Sequence, residues 1–272
     1  MSVKNLWLRL AFLLLILIFS QGFSHDYWLL PEKFIISKGD SLIVHLFVGD
    51  EFEPELERPL QKYITKRFEL LTSHGSFDLL SEFPDSTMPI LSKKIEFEGY
   101  ALLNLERDFA YIELSNSQFS DYLKHEDLLE VEKLREKSGK RSKERERYAR
   151  FIKSFVKIGE AKESDLYRKI LGQKLEIVLL QNPSASKSGD VIEAQILFEG
   201  KPLINKIVMA YNKDMTGKVS KIKAKTDSRG IAKFKLEGEG FWIIRLVHLI
   251  PCDNCEKVDW ESFWASYSFE LQ

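Results

Sequence analysis

The rhythm of hydrophobic and polar positions changes several times along the chain, and each change marks a different kind of structure. It begins with an unbroken apolar run, "LAFLLLILIF" from Leu10 to Phe19, behind Lys4 and Arg9 and ahead of the small and polar "SQGFS". A basic start, a short apolar core and a small-residue end make a signal peptide. The run is shorter than the roughly 20 apolar residues a membrane span needs. Gly22 and Ser24 stand at the third and first positions before the bond Ser24–His25. The expectation is a signal peptide over residues 1–24, cleaved at that bond to leave His25 as the first residue of an exported, periplasmic protein. An uncleaved signal anchor is the alternative. No second apolar run of spanning length follows.

From Asp26 to about Leu114 the pattern has a period of two. "FIISKGD" and "SLIVHLFVGD" alternate apolar and polar residues and are bounded by Gly39 and Gly49. "RFELLTSHGSFDLL" turns at Ser73–Gly75, and "KKIEFEGYALLNLERDFAYIEL" holds two or three more strands. Short strands separated by turn residues predict a small antiparallel sandwich over residues 25–115.

The next stretch is rich in Leu, Glu, Lys and Arg. Tyr122, Leu128, Leu129 and Leu134, then Tyr148, Phe151, Ile152 and Phe155, recur at helical spacing, with a break at Gly139. The expectation is a helical hairpin insertion over residues 116–171. Its charge run "KSGKRSKERERYAR" reads as a solvated helix face, because Glu144 and Glu146 interleave with the arginines.

Strand patterning returns near Gly172. "KLEIVLL", "VIEAQILFEG", "KIVMAYN", "SKIKAKT", "IAKFKLEG", "FWIIRLVHL" and "FWASYSFEL" are candidate strands, separated by "SKSGD", "EGKP", "DSRG" and "GEG". That grammar suggests an immunoglobulin-like or transthyretin-like sandwich over residues 172–272. The predicted fold is mostly β: two antiparallel β-sandwich domains with a helical insertion between them.

Composition narrows the function. A net charge of −1 argues against nucleic acid as a partner. The cysteines are Cys252 and Cys255 in "CDNC". An oxidising compartment favours a local disulfide, and a reduced metal-binding thiol pair is the other reading. No Ser-His-Asp signature, phosphate-binding glycine loop or H-E-x-x-H helix appears, so the sequence does not support an enzyme.

The five histidines carry the remaining chemistry. His125 lies among charges and His74 in a turn. His45 and His248 lie inside apolar strands, and His25 stands at the expected cleavage bond. A histidine at a chain start offers its α-amine, which ordinarily titrates near pH 8, together with its ring, so both can chelate one ion. Nitrogen ligation suits Cu(II) or Ni(II) best and zinc next. Asp26 could add an oxygen or hold an imidazole. The candidate metal ligands are therefore His25, Asp26, His45 and His248. Against this, a histidine on an apolar strand is usually a core residue, and only the fold can bring distant ones together.

The order of segments also resembles a known family. "HDYWLLPEKF" after the apolar run, "GDSLIVHLFVGDEFEPE", "RERYARFIKSFVKIG", "GKPLINKIVMAY" with "TDSRGIAKFKL", and "GFWIIRLVHLIP" with "DWESFWASYSFEL" resemble an exported bacterial family of unknown function described as NikM-like. The resemblance implies a periplasmic protein linked to transition-metal handling, with nickel favoured and cobalt, copper or zinc as alternatives. It implies a metal ion and a membrane metal-uptake system as partners. Matched positions are His25, Asp26, Trp28, His45, Trp242 and His248. The reading that results is a metal-binding protein supporting uptake or homeostasis. A metal-free structural or interaction module of the envelope is the competing reading, and a copper-brace enzyme at His25 a third.

Overall fold

The computed structural model describes residues 25–139, 141–161 and 163–272. The expected signal peptide over 1–24 lies outside the described residues. In chain order the strands are β1 (Asp26–Pro31), β2 (Ile35–Ile36), β3 (Ser41–Asp50), β4 (Glu53–Glu57), β5 (Thr65–Thr72), β6 (Gly75–Asp78), β7 (Leu91–Lys94), β8 (Gly99–Ser115) and β9 (Lys143–Ile158). There follow β10 (Leu175–Leu179), β11 (Val191–Phe198), β12 (Lys201–Pro202), β13 (Ile207–Lys213), β14 (Val219–Lys225), β15 (Ile231–Lys235), β16 (Gly240–Pro251) and β17 (Trp260–Leu271). The α-helices are α1 (Leu79–Glu82), α2 (Asn116–His125) and α3 (Leu129–Ser138). The protein is mostly β, and every stretch expected as strand between 172 and 272 is strand.

A nine-stranded sheet in the order β14-β13-β16-β17-β9-β8-β5-β6, with β2 beside β9, forms the middle layer. Its two halves meet where β9 pairs parallel with β17, from Glu146↔Trp260 to Ser154↔Ser268. The expected separation into two sandwiches is therefore replaced by one sheet built from both ends of the chain. A four-stranded sheet of β1, β3, β4 and β7 lies on one face, and a second of β10, β11, β12 and β15 on the other.

The alternation of side chains explains the layering. On β8 and β9, Ala101, Leu103, Ile152 and Val156 pack with Leu29, Val44 and Leu46 of the amino-terminal sheet. Their neighbours Leu102, Phe151 and Phe155 pack with Ile177, Ile192, Ala194 and Phe234 of the other sheet. A strand buried on both faces reads as a nearly continuous apolar run rather than an alternation. That is why "RERYARFIKSFVKIG", expected as a helix, is strand: Phe151, Ile152, Phe155 and Val156 have two layers to fill, not one helical stripe.

Helices do form in the first part of the expected insertion, and both lie before Gly139. Ser115 caps α2 in a capping box: its Oγ accepts from the Gln118 backbone N–H at 3.3 Å, and the Gln118 side chain accepts from the Ser115 N–H at 2.9 Å. The apolar stripe Phe119, Tyr122 and Leu123 then lies on Trp260 and Trp264 of β17. The amino-terminal sheet and the helices therefore share one face of the central sheet, with a gap between them.

Candidate functional site

That gap is a cleft of about 190 Å³ lined by His25, Tyr27, Val48, Arg58, Ile112, Leu114, Glu146, Tyr148, Arg150 and Trp264. Strand β1 forms one wall. It lies across the central sheet, with the carbonyls of Tyr27 and Leu29 accepting from the Ser266 and Ser268 hydroxyls at 2.7 and 2.6 Å. Its odd positions face the cleft and its even positions face the other way. Gly49, opposite Asp26, holds the turn close: a Cβ there would stand 1.9 Å from the Glu53 carbonyl oxygen and 3.0 Å from the Trp28 ring.

The floor is ionic. Glu146 is buried, and its carboxylate accepts the Ser262 hydroxyl. Burial pushes its pKa up to about 7, even though the Ser262 bond and the Arg150 charge pull it down. Arg150 lies 3.9 Å from the Tyr27 ring centre and 4.5 Å from that of Tyr148, with Trp264 at 5.8 Å. Its Nη2 donates a long bond, 3.4 Å, to the His25 carbonyl.

Beside the cleft, Arg245 joins three elements. Its Nε donates to Asp26 of β1 at 2.6 Å, and its Nη2 donates to Glu126, which follows α2, at 3.0 Å. All three residues are buried. Two carboxylates share one guanidinium, and burial together with the Glu126 charge raises Asp26 to about 6 against the pull of Arg245. Next to that cluster, His125 Nε2 is 3.9 Å from Glu126 and 3.2 Å from Asp50 Oδ1; the Asp50 bond raises the histidine's pKa and lowers the aspartate's.

The expected ligands do not come together. His25 is half-buried at the cleft mouth, with Nδ1 3.6 Å from Glu55 Oε2. His45 lies on the other face of the amino-terminal sheet. Its Nδ1 is 2.8 Å from Glu57 and its Nε2 3.4 Å from Glu32, so both ring nitrogens are engaged by carboxylates. His248 points to the opposite face of the central sheet, with its ring centre 4.5 Å from that of Phe198. Burial, reinforced by Lys206, lowers it to about 4, so it stays neutral. A whole sheet therefore separates His248 from His25 and His45, about 10 Å at ordinary layer spacing. Asp26 is committed to Arg245 and holds no imidazole. A single site of His25, Asp26, His45 and His248 is thus not assembled. Among the described residues the one cluster with metal-binding spacing is Cys252, Cys255 and Glu261. There the two sulfurs are joined in a disulfide, and Glu261 is paired with Arg147.

Residues 22–250 match the family described as Domain of unknown function (DUF4198). The chain belongs to that family. No curated protein matches it in sequence. Among solved structures it is similar to the "D0-D1 domain of Intimin", at 12% identity over 91% of this chain and 98% of that chain, with a TM-score of 0.23. It is also similar to a "tetra-tandem repeat in extending region of large adhesion protein", at 8% identity over 92% of this chain and 50% of that chain, with a TM-score of 0.23. At that level of superposition neither bears on the fold or function of the DUF4198 chain. No described helix is long and apolar enough to cross a membrane.

The DUF4198 sequence did carry a signal for the residues that motifs alone do not pick out. Arg245 interrupts "FWIIRLVHL", and Glu146 and Arg150 flank "RYA" at the start of a long buried run. A charge inside a strand that is otherwise apolar must be paired or functional. Reading β9 as a helix turns those two charges outward to solvent.

Proposed function

We propose that this DUF4198 protein is an exported, periplasmic binding protein that takes up a divalent transition-metal ion at the mouth of the cleft, in support of metal uptake or homeostasis. The observation that carries the reading is the place of His25. Of the three histidines singled out, it alone is neither locked between two carboxylates nor buried against an aromatic ring, and it has a carboxylate, Glu55, 3.6 Å from Nδ1. Cleavage ahead of His25 would add the α-amine. Amine, imidazole and carboxylate make a three-donor set that suits Cu(II), Ni(II) or Zn(II). Nickel is the ion to which the NikM-like resemblance points. His45 and His248 do not fit the same ion and are left out of the site.

The test uses the mature protein with His25 as its first residue. Calorimetry with nickel, copper and zinc should give one ion per chain. Replacing His25 by alanine, or placing one residue ahead of it, should weaken binding by roughly tenfold or more, about 1.4 kcal/mol. Glu55→Gln should give a smaller loss. Equal affinity in the native and extended proteins would remove the amine, and no binding at all would leave a metal-free envelope module.

A further inference from the structure

The cleft that begins at His25 holds more positive charge than its walls neutralise. Arg58 and Arg150 line it. Arg107 lies on the same aromatic post, 5.5 Å from the Tyr27 ring centre. Each of the three has a buried guanidinium nitrogen with no hydrogen-bond partner among the described residues: Nε of Arg58, Nη1 of Arg107 and Nε of Arg150. Arg150 and Arg107 are only 8% and 6% exposed. Arg107 bonds a neutral side chain, from Nη2 to Gln61 at 2.7 Å. Other buried cations among the described residues have carboxylates: Arg245 has Asp26 and Glu126, Arg135 has Glu144, and Lys153 has Glu176. Burying a charge without a partner is costly, so a partner from outside is implied.

Stacking on aromatic rings does not remove the need. The Tyr27 and Tyr148 rings lie 3.9 and 4.5 Å from the centre of the Arg150 guanidinium, and a ring face accepts no in-plane N–H bond, so stacking leaves those donors to be met by something else. Glu146 does not serve either. It is outside ion-pair distance and tied to Ser262. The three cations also act on one another: burial first, then the charges of Arg150 and Arg58, hold Arg107 below its usual value.

We propose that the cleft is a binding site for a small organic carboxylate, whose carboxylate meets the in-plane N–H groups of Arg150 and Arg58 and whose apolar body lies against Tyr148, Val48 and Trp264. A planar two-oxygen anion matches the guanidinium fork. A dianion such as phosphate fits less well, because Glu146 forms part of the floor and would repel it. This site does not depend on a metal at His25.

The probes are sodium benzoate and inorganic phosphate, titrated calorimetrically into the mature protein with a chelator present, so that a metal at His25 plays no part. Benzoate should saturate one site, and phosphate should bind at least roughly tenfold more weakly. Arg150→Lys, which keeps the charge and loses the fork, and Arg58→Gln, at the half-buried rim, should each weaken benzoate by roughly tenfold or more. Arg168→Gln, on an exposed residue elsewhere, should change nothing. If one variant fails to fold, as judged from its tryptophan emission, the other decides. No saturation by benzoate at about 10 mM, or unchanged affinity in the folded variants, would overturn the site. Phosphate binding as tightly as benzoate would overturn the ligand class.

Discussion

Glu146 shows how burial sets the chemistry of a single side chain. Its pKa of about 7 in the fold lies above the 4.5 of an ordinary glutamate. Below pH 4.5 both folded and unfolded chains hold the proton, and burial has no ionic cost. As pH rises from there towards 7 the unfolded chain loses the proton first, so stability falls across that window. Asp26, raised to about 6 from 3.8, works in the same direction. Glu146→Gln keeps an acceptor for Ser262 without the titration. It should flatten the fall and leave the protein roughly 2–3 kcal/mol more stable than the wild type at pH 8, as read from urea midpoints across pH. An unchanged pH profile would mean that Glu146 titrates normally. At Arg245 the expectation has the opposite sign. Arg245→Met removes the cation from two buried carboxylates and should cost about 3–5 kcal/mol at neutral pH, with part of the loss recovered near pH 4 as they protonate.

At the scale of the element, β9 decides most of the architecture. Its buried positions alternate between two cores, so truncations on its two faces should act on different partners. Phe155→Ala opens a hole beside the Tyr100 and Tyr167 rings and should cost about 3–5 kcal/mol; Val156→Ala, towards the amino-terminal sheet, should cost about 1–3 kcal/mol. The two losses should add in the double variant only as far as the shared backbone allows. Helix α2 depends on its start more than on its composition. Ser115→Ala removes one arm of the capping box and should cost about 1 kcal/mol in the same unfolding assay.

For the whole molecule, the nine-stranded sheet removes any clean boundary at residue 172. Strand β17 has β16 on one edge and β9, from the other half of the chain, on the other. A fragment of residues 172–272 would expose the β17 edge and the apolar face that Leu102, Phe151 and Phe155 cover, an invitation to edge-to-edge association. The intact protein should unfold in urea as one transition seen identically by tryptophan emission and circular dichroism, and the fragment should aggregate or remain unfolded. Two separated transitions in the intact chain would favour independent domains.

The strand content of the chain was legible because alternation and turn residues are local signals. "SLIVHLFVGD", "IAKFKLEG" and "FWIIRLVHL" all became strands. Helical spacing at Tyr122, Leu128, Leu129 and Leu134 was local as well, and α2 and α3 form there, although the Ser115 cap and the buried stripe of Phe119, Tyr122 and Leu123 came only with the structure. The rest depended on what each segment packs against. Phe151, Ile152 and Phe155 fit a helical stripe and a doubly buried strand equally well, and only the two flanking sheets chose between them. The histidines were visible as chemistry but not as a site: alternation along β16 and β3 sends His248 and His45 to faces that a sheet keeps apart, and no sequence spacing encodes which face is which. The arginines of the cleft come from β8, β9 and the turn after β4: β8–β9 pairing sets Arg107 opposite Arg150, packing of the amino-terminal sheet brings Tyr27 and Arg58 to them, and the parallel β9–β17 pairing adds Trp264 as a wall. Sequence alone therefore determined most of the elements, whereas tertiary structure decided the partners of each buried charge, because desolvation and pairing are properties of the packed layers rather than of the local chain.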